Sequence, residues 1–298
     1  MSRVSQVFAV ARYNFRLWHK NPRVFLAFAL AFILCFLLSD KVVRFAAEYK
    51  TTMQIVEAFV WTFADSTSIL LCSLLLVLLF ADMPFISPGT PFFLMRIDRR
   101  IWIAGQALYV LLATALYMAF VLVATSLVCM SSSFTGDMWS ATAAILGYSG
   151  AGKAVALPAS VKTLEMSTPY ACMATIFLLM LLYALLVAFL MLSCNMHFGQ
   201  RAGAISVFVF NLYGLVLNPE FIRTVFHLPD RLQYKANVAA GWLSPLNHAT
   251  YHMHNFGYDL LPRLWQTYVI FGILIAVCFL AVLRAAGNYN FHFTGTEN

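Results

Sequence analysis

Six long apolar stretches separated by shorter polar segments dominate the chain. A helix needs roughly 20 mostly apolar residues to cross the hydrocarbon of a bilayer. None of the six carries Asp, Glu, Lys or Arg in its apolar interior. They lie at about 24–39, 66–83, 101–129, 171–194, 203–218 and 264–283, and the first and fifth are expected to extend into their flanks. The pattern predicts an all-α polytopic membrane protein, with six transmembrane helices in a single domain over 1–298.

Composition supports a membrane protein, and charge suggests its orientation. Of 298 residues, 62% are hydrophobic and only 10% are charged, which lies far outside the range of soluble domains. The side that holds both termini and the connection between spans two and three carries ten cations against three anions, whereas the other side carries nine of each. By the positive-inside rule, the first side and both termini are cytoplasmic. Topology therefore explains the basic charge, and we expect no nucleic-acid binding.

Residues 1–22 have an apolar periodicity of their own. Apolar side chains recur at helical spacing, with the cations largely between them, at Val4, Val7, Phe8, Ala11, Phe15 and Trp18. This pattern predicts an amphipathic helix in the cytoplasmic membrane interface, with Trp18 at headgroup depth and the cations towards anionic lipid. Two interpretations stay open: a helix that only anchors the N-terminus, and one that also contacts a cytoplasmic partner.

The connection between spans two and three combines turn residues with an apolar and cationic surface. Thr90 is a good N-cap and Pro91 a good first helical residue, so we expect a short cytoplasmic helix over about 91–100. It would present Phe92, Phe93, Leu94 and Met95 beside Arg96, Asp98, Arg99 and Arg100. Either these side chains anchor the chain in the membrane interface, or they form a docking surface for a soluble protein.

The first outer loop, 130–170, contains a segment similar to a nucleotide-binding motif. Gly147 to Lys153 fits the start of a phosphate-binding loop, but Ala154 lacks the hydroxyl group that would bind Mg²⁺, and no strand precedes the segment. We therefore interpret it as a loop of small residues. Cys129 and Cys172 lie at the outer ends of spans three and four, where a disulfide is geometrically conceivable.

The second outer loop, 219–263, contains a group of histidines. The spacing of His248 and His252 places two imidazoles on one helical face, which is how a metal site can begin. No acidic residue adjoins them, and we interpret them, together with His254, as interfacial histidines among aromatic residues. The sequence thus predicts no metal, no cofactor and no catalytic residue.

The polar content of the spans restricts the mechanism. Ion-coupled carriers generally place ionisable side chains inside the membrane, but the spans here offer Asn211, hydroxyl groups and thiols, with Asn195 and His197 near the cytoplasmic boundary. A proton-driven carrier is therefore disfavoured. An intramembrane protease is disfavoured too, because no paired aspartates, Ser/Lys dyad or His-Glu motif stands within a span. We expect a membrane-embedded domain whose energy is supplied from elsewhere, through its cytoplasmic face.

The layout and several local sequences resemble the permease subunits of type-2 ABC exporters. The similar segments are FADMPF at 80–85, RIDRRIWIAGQ at 96–106, WLSPL at 242–246 and WHKNP at 18–22 before the first span. The resemblance covers nearly the whole chain. It extends to the six spans with both ends inside, the short cytoplasmic helix after span two and the long outer loop before span six.

The resemblance implies roles for particular segments. In that family, the helix between spans two and three is a coupling helix that sits in a cleft of the ATPase subunit. The corresponding residues here are Thr90, Pro91, Phe92, Phe93, Arg96, Asp98, Arg99 and Arg100. The helix that carries Val7, Phe8, Phe15 and Trp18 looks like the elbow helix of the family, and 219–263 like its outer re-entrant region. Because the 298 residues contain no ATPase domain, the resemblance implies a separate ATP-binding subunit and a second permease subunit, identical or related.

The expected function is the ATP-driven export of a hydrophobic or amphipathic substrate, such as a peptide, an antibiotic or a lipid-like molecule, across the cell membrane. A non-transporting membrane subunit for immunity, sensing or scaffolding is the alternative from another class. A membrane-embedded enzyme is a third reading. Dependence on nucleotide distinguishes the first two, since a non-transporting subunit need not bring an ATPase with it.

Overall fold

The computed structural model describes residues 2–87, 89–154, 159–227 and 229–289, and these residues are mostly helical. The α-helices are α1 (Arg3–Arg16), α2 (Pro22–Glu48), α3 (Glu57–Phe63), α4 (Ser66–Phe80), α5 (Thr90–Leu94), α6 (Arg99–Cys129), α7 (Ala141–Tyr148), α8 (Ala151–Ala154), α9 (Val161–Met166), α10 (Pro169–Phe198), α11 (Gln200–Val216), α12 (Pro219–Val225), α13 (Gln233–Leu243), α14 (Pro245–His248) and α15 (Leu264–Asn288). Short 3₁₀ turns lie at Trp18–Lys20, Met130–Ser132, Asp230–Leu232 and Tyr251–Met253. Two-residue strands β1 (Met53–Gln54) and β2 (Ser133–Phe134) pair in parallel.

Four of the described helices, α2, α6, α10 and α15, are long and apolar enough to cross a membrane. Two further pairs of helices meet the same criteria together but are sharply bent, α3 and α4 by 91° and α11 and α12 by 76°. Each bend coincides with a side-chain cap, because Asp65 accepts a hydrogen bond from the Ser68 backbone and Asn218 accepts one from the Phe221 backbone. The prediction of a helical protein with several segments long and apolar enough to cross a membrane is confirmed.

The first two predicted spans have different boundaries in the structure. The helix predicted at 24–39 extends into its flanks, as expected, and its polar last turns include an ion pair between Asp40 and Arg44 at 2.7 Å. The helix predicted at 66–83 ends at Phe80, and α3 precedes it at nearly a right angle. This bend was not predicted, because the direction of a helix depends on tertiary contacts that the sequence pattern does not show.

Helices α6 and α10 form the centre of the bundle. In the most apolar part of each helix, 50% and 67% of the residues are buried, against 28% in α2 and 17% in α15. A buried polar contact joins α10 to its neighbours: Tyr183 Oη donates to Asn211 Oδ1 at 2.8 Å, and Ser73 Oγ donates to the same oxygen at 3.1 Å. Because a buried amide is tolerated when its polar atoms have partners, this contact fixes α4, α10 and α11 against one another.

The contacts between helices define two ends of the bundle, which we call the basal end and the loop end. The basal end gathers α1, α5, the start of α6 and the C-terminal ends of α10 and α15. The loop end gathers the two strands, α3, α7 to α9 and α12 to α14. The segment 130–170, predicted as a loop, thus contains three short helices among its described residues.

A buried carboxylate braces the loop end. Glu57, the first residue of α3, is fully buried and accepts hydrogen bonds from Ser140 N at 2.8 Å and from Ser140 Oγ at 2.6 Å. The same hydroxyl oxygen accepts from Ala143 N at 3.1 Å, which caps α7. Glu57 was one of the nine anions counted on the outer side, and its burial was not predicted.

Candidate functional site

The N-terminal helix α1 lies close against the start of α6. At Gly105 of α6, an added Cβ would stand only 2.5 Å from the Cβ of Val10, so a glycine is required for this approach. In the same seam, Asn14 Nδ2 donates to Gln106 Oε1 at 2.9 Å, and Gln106 Nε2 donates to the Phe85 carbonyl oxygen at 3.3 Å. The N-terminal helix is thus part of the folded bundle and not only a surface anchor.

The buried side of α1 differs from the predicted apolar face. Val10, Ala11 and Asn14 are buried, whereas Val7 is half-buried and Phe8 is exposed. The burial of Asn14 was not predicted, because a polar residue in an amphipathic pattern is normally assigned to the solvent face. Its buried partner Gln106, 92 residues away, is what makes the burial favourable.

Trp18 and Phe15 belong to an aromatic cluster at the end of α1. Trp18 Nε1 donates to Tyr109 Oη at 2.6 Å, and the Phe15 ring lies 5.0 Å from the Trp18 ring and 4.9 Å from the Tyr109 ring. The Phe28 ring of α2 lies 5.7 Å from that of Trp18. Trp18 was predicted at headgroup depth. In the structure its indole N–H is hydrogen-bonded to Tyr109, and its ring contacts join the end of α1 to α2 and α6.

The predicted cytoplasmic helix is shorter than expected and starts differently. It spans Thr90–Leu94, whereas 91–100 was predicted, and its N-cap is Gly89 and not Thr90. The Thr90 hydroxyl group accepts from Ser87 N at 2.9 Å, and Thr90 is buried. Pro91 lies in the first turn, as its fixed φ favours.

The predicted surface helix stops early because the chain must turn from α5 into the bundle before α6 begins. Asp98, in an extended conformation, is the N-cap residue of α6, and Arg99 and Arg100 form its first turn. Asp is a preferred N-cap residue, so the sequence itself indicates that a second helix can start at this position. The assignment of Arg99 and Arg100 to the same short helix as Phe92 was therefore wrong.

The structure nevertheless brings most of the predicted docking residues to one surface, which we call the basal patch. Its exposed members are Phe92, Met95, Arg96, Asp98, Arg99 and Arg100. Phe92 and Met95 are 66% and 74% exposed, which is unusual for side chains of this size outside a membrane or an interface. The patch therefore combines two exposed apolar side chains with charged neighbours on their C-terminal side.

Two of the predicted residues also contact other elements of the bundle. The Phe93 ring contacts the Tyr13 ring edge to face, with the centroids 5.1 Å apart, and is half-buried. Arg99 Nη1 donates to the carbonyl oxygen of Gly287, near the end of α15, at 3.2 Å. Phe93 and Arg99 thus attach the basal patch to α1 and to the last long helix.

Two shallow grooves border the basal patch. One, of about 430 Å³, lies between α1 and α5, and the other, of about 410 Å³, lies between the start of α1 and the turn after α5. Their walls include Phe8, Arg12, Tyr13, Arg16 and Phe93 in the first groove, and Arg3, Gln6, Met95, Arg96 and Asp98 in the second. Cations outnumber anions in both walls, so these grooves favour an acidic partner.

The histidines of the loop end do not form the predicted helical pair. Helix α14 ends at His248, and His252 lies in a separate 3₁₀ turn. Burial lowers the pKa of His248 and His252, and it lowers the pKa of His254 to about 4. Within the described residues, no three His, Cys, Asp or Glu side chains are placed to hold a metal ion.

The other candidates in the outer loops have structural roles or stay unpaired. Gly147 lies in α7, where an added Cβ would stand 2.3 Å from Leu164 Cδ1, so its small size allows α7 and α9 to pack closely. Gly150, with φ +70°, turns the chain between α7 and α8. Cys129 and Cys172 are buried free thiols.

No protein-family model matches the chain, and neither a curated protein nor a solved structure shows significant similarity to it.

Proposed function

We propose that the chain is the transmembrane permease subunit of an ATP-driven exporter, and that a separate ATPase subunit docks on the basal patch. The observation that carries this proposal is the construction of the patch. Phe92 and Met95 project from a short helix at the end of the bundle, beside the cations Arg96 and Arg100. An apolar centre with a charged rim is the usual composition of a protein interface.

The attachments of the patch support a role in transmitting movement. The contact of Phe93 with Tyr13 joins it to α1, and the hydrogen bond from Arg99 to Gly287 joins it to α15. Asp82, in the connection before α5, pairs with Arg23 in the first turn of α2. A force applied to the patch would thus reach α1 and α15 through these contacts, and α2 along the connection that carries Asp82, as coupling to an ATPase requires.

The arrangement of helices agrees with six crossings. If each bent pair is counted as one crossing, an even number of crossings separates α1 from the end of α15, and both lie at the basal end. The excess of cations in this part of the sequence supports a cytoplasmic location for the basal end and, with it, for both termini. An ATPase in the cytoplasm would then have direct access to the basal patch in the cell membrane.

The bundle also suggests the chemistry of the substrate. The side of α11 that faces away from α10 exposes apolar residues, Ile205, Phe208, Val209 and Leu212. A second permease subunit, identical or related, would cover part of the apolar helix surface and enclose a path suited to a hydrophobic or amphipathic molecule. The polar groups at the centre, Asn211 and Tyr183, are neutral and hydrogen-bonded to each other, so an external energy source is expected.

The experiment is co-purification of the tagged protein from its native membranes in mild detergent, followed by mass spectrometry. A stoichiometric soluble ATPase with a complete phosphate-binding loop is the expected result, and R96E/R100E should lose most of it. R231E/K235E makes the same charge change at two exposed positions of the loop end and should retain it. Intact complexes that lack any ATPase would overturn the proposal and favour the non-transporting subunit.

A further inference from the structure

Two buried imidazoles meet at one hydroxyl group in the loop end. His248 Nδ1 lies 2.9 Å from Thr267 Oγ1, and His254 Nε2 lies 3.0 Å from the same oxygen. His248 is 4% exposed, and His254 and Thr267 are fully buried. Because solvent has so little access, the protein itself must supply the hydrogens for these contacts.

Backbone carbonyl groups fix the hydrogens on the other two ring nitrogens. His254 Nδ1 lies 3.0 Å from the Thr250 oxygen and 3.2 Å from the Tyr251 oxygen, and His248 Nε2 lies 3.1 Å from the Trp242 oxygen. A carbonyl oxygen can only accept, so both of these nitrogens carry a hydrogen. A neutral imidazole has one N–H group, so in the neutral state both nitrogens that face Thr267 are acceptors.

The number of hydrogens then decides how the group behaves. The Thr267 hydroxyl group has one hydrogen and can donate it to one imidazole. With both rings neutral, the other imidazole directs its lone pair at an oxygen that has nothing to donate. One added proton completes the set, since the imidazolium donates to Oγ1 while the hydroxyl group donates to the second ring. A second proton would leave the hydroxyl hydrogen without either imidazole as acceptor and place two positive charges beside one oxygen.

We propose that His248, Thr267 and His254 form a binding site for a single proton, which the hydroxyl group shares between the two imidazoles. The proton on Nδ1 of His248 passes to Oγ1 while the hydroxyl hydrogen passes to Nε2 of His254, so the number of hydrogens on the oxygen and the total charge do not change. The outer nitrogens are held by carbonyl groups, which pass no proton onward. The site therefore stores a proton and does not conduct one.

The surrounding charges set the conditions under which the site fills. The positive charge of Lys162, from α9, faces His254 and His252, and Lys162 also pairs with Asp259. Among the described residues, other titratable groups that face this part of the loop end include Asp65 before α4, Cys172 of α10, Tyr251 beside the histidines and Tyr268 of α15. Burial and Lys162 both lower the pKa of His254, so the site is expected to fill at acidic pH and to resist a second proton.

This site goes beyond the proposed function and rests on different residues, at the opposite end of the bundle. It joins three elements, α14, the turn Tyr251–Met253 with its flanks, and the first turn of α15. Its occupancy therefore depends on the pH at the loop end, whichever compartment that end faces.

The test is a pH titration of the full-length protein in detergent micelles, followed by ¹⁵N NMR of its labelled histidine rings. In the unchanged chain, the signals of His248 and His254 should shift together, with the uptake of one proton between them. T267V removes the shared hydroxyl group and should move this uptake to a pH lower by roughly 1–2 units, the effect of one hydrogen bond to a charged group. T267S keeps the hydroxyl group and should titrate like the unchanged chain.

Uptake of two independent protons by the unchanged chain would overturn the proposal, and so would a T267V titration identical to it. The first outcome needs no variant, so the proposal is tested even if T267V fails to fold. The exposed His197 at the basal end serves as the internal reference, and its signal should be the same in all three proteins.

Discussion

The ring of Phe93 meets the ring of Tyr13 edge to face, with centroids 5.1 Å apart and planes inclined by 65°. This contact holds α5 against the N-terminal helix, while the next-door ring of Phe92 projects away from the protein. Of these two neighbouring phenylalanines, Phe93 therefore attaches α5 to α1, whereas Phe92 is exposed at the surface.

The attachment can be measured with a double-mutant cycle. Y13A and F93A should each lower the free energy of unfolding, and the two changes should couple by about 0.5–1.5 kcal/mol, the usual value for an aromatic pair. Thermal unfolding of the purified variants in detergent measures this coupling. F92A is the matched control, because its exposed ring should couple to Y13A by nearly nothing. Additive effects of Y13A and F93A would show that the rings do not support each other.

The orientation of the bundle is open to direct labelling. R100C places a thiol at the basal end and Y148C at the loop end, and both positions are exposed. A membrane-impermeant maleimide should label Y148C on intact cells and R100C only after permeabilisation. The unchanged chain is the blank, since four of its six cysteines are buried and the other two partly so. Labelling of both variants from the same side would contradict the assignment of the basal end to the cytoplasm.

Glu57 should matter for stability through its two hydrogen bonds to Ser140. E57A leaves Ser140 N without its acceptor in a buried position, so a loss of about 1–3 kcal/mol in the free energy of unfolding is expected. E57Q keeps one acceptor oxygen and should lose less. The exposed Glu48 provides the control, and E48A should change stability by about 0.5 kcal/mol or less. Equal losses of unfolding free energy in E57A and E48A would show that the hydrogen bonds between Glu57 and Ser140 do not stabilise the loop end.

Acid should destabilise the loop end through its buried histidines. Burial, and then the positive charge of Lys162, lower the pKa of His252 in the folded protein. The unfolded chain, with a histidine pKa near about 6.5, then binds more protons, so stability is complete above that pH and falls as the pH decreases below it. The slope is at most about 1.4 kcal/mol per pH unit for each such histidine.

The measurement compares thermal unfolding of H252Q with that of the unchanged chain between about pH 7 and pH 4. H252Q removes one titrating group, so its stability should fall less steeply, while H197Q, at an exposed position, should follow the unchanged chain. Carboxylates titrate equally in all three proteins and cancel in the comparison. Parallel curves for H252Q and the unchanged chain would contradict the prediction.

The features that sequence predicted well depend on length and composition. Apolar runs of about 20 residues have few alternatives to a membrane-crossing helix, and the helices α2, α6, α10 and α15 lie close to their predicted positions. The bend before Ser66 was missed because helix direction depends on tertiary contacts as well as apolar length. Asp65 is a residue type that often caps the start of a helix. Aspartate is also common in polar loops, so it did not by itself indicate a bend at this position.

The features that were missed depend on partners distant in sequence. Asn14 and Gln106 are 92 positions apart, and Glu57 and Ser140 are 83 apart. A polar residue alone indicates exposure, and only the presence of its partner makes burial favourable. At the basal patch, the helix boundaries were predicted wrongly, because Asp98 starts a new helix within a segment that was interpreted as one helix.

The most direct test of the central claim is site-specific photo-crosslinking from position 92. A benzoylphenylalanine replacing Phe92, incorporated in cells and irradiated before lysis, should capture a soluble ATPase with a complete phosphate-binding loop. The same residue replacing Tyr148, an aromatic side chain of similar exposure at the loop end, should capture none. Capture of the ATPase from position 148 but not from position 92, or of no ATPase from either, would contradict the assignment of the basal patch as its docking surface.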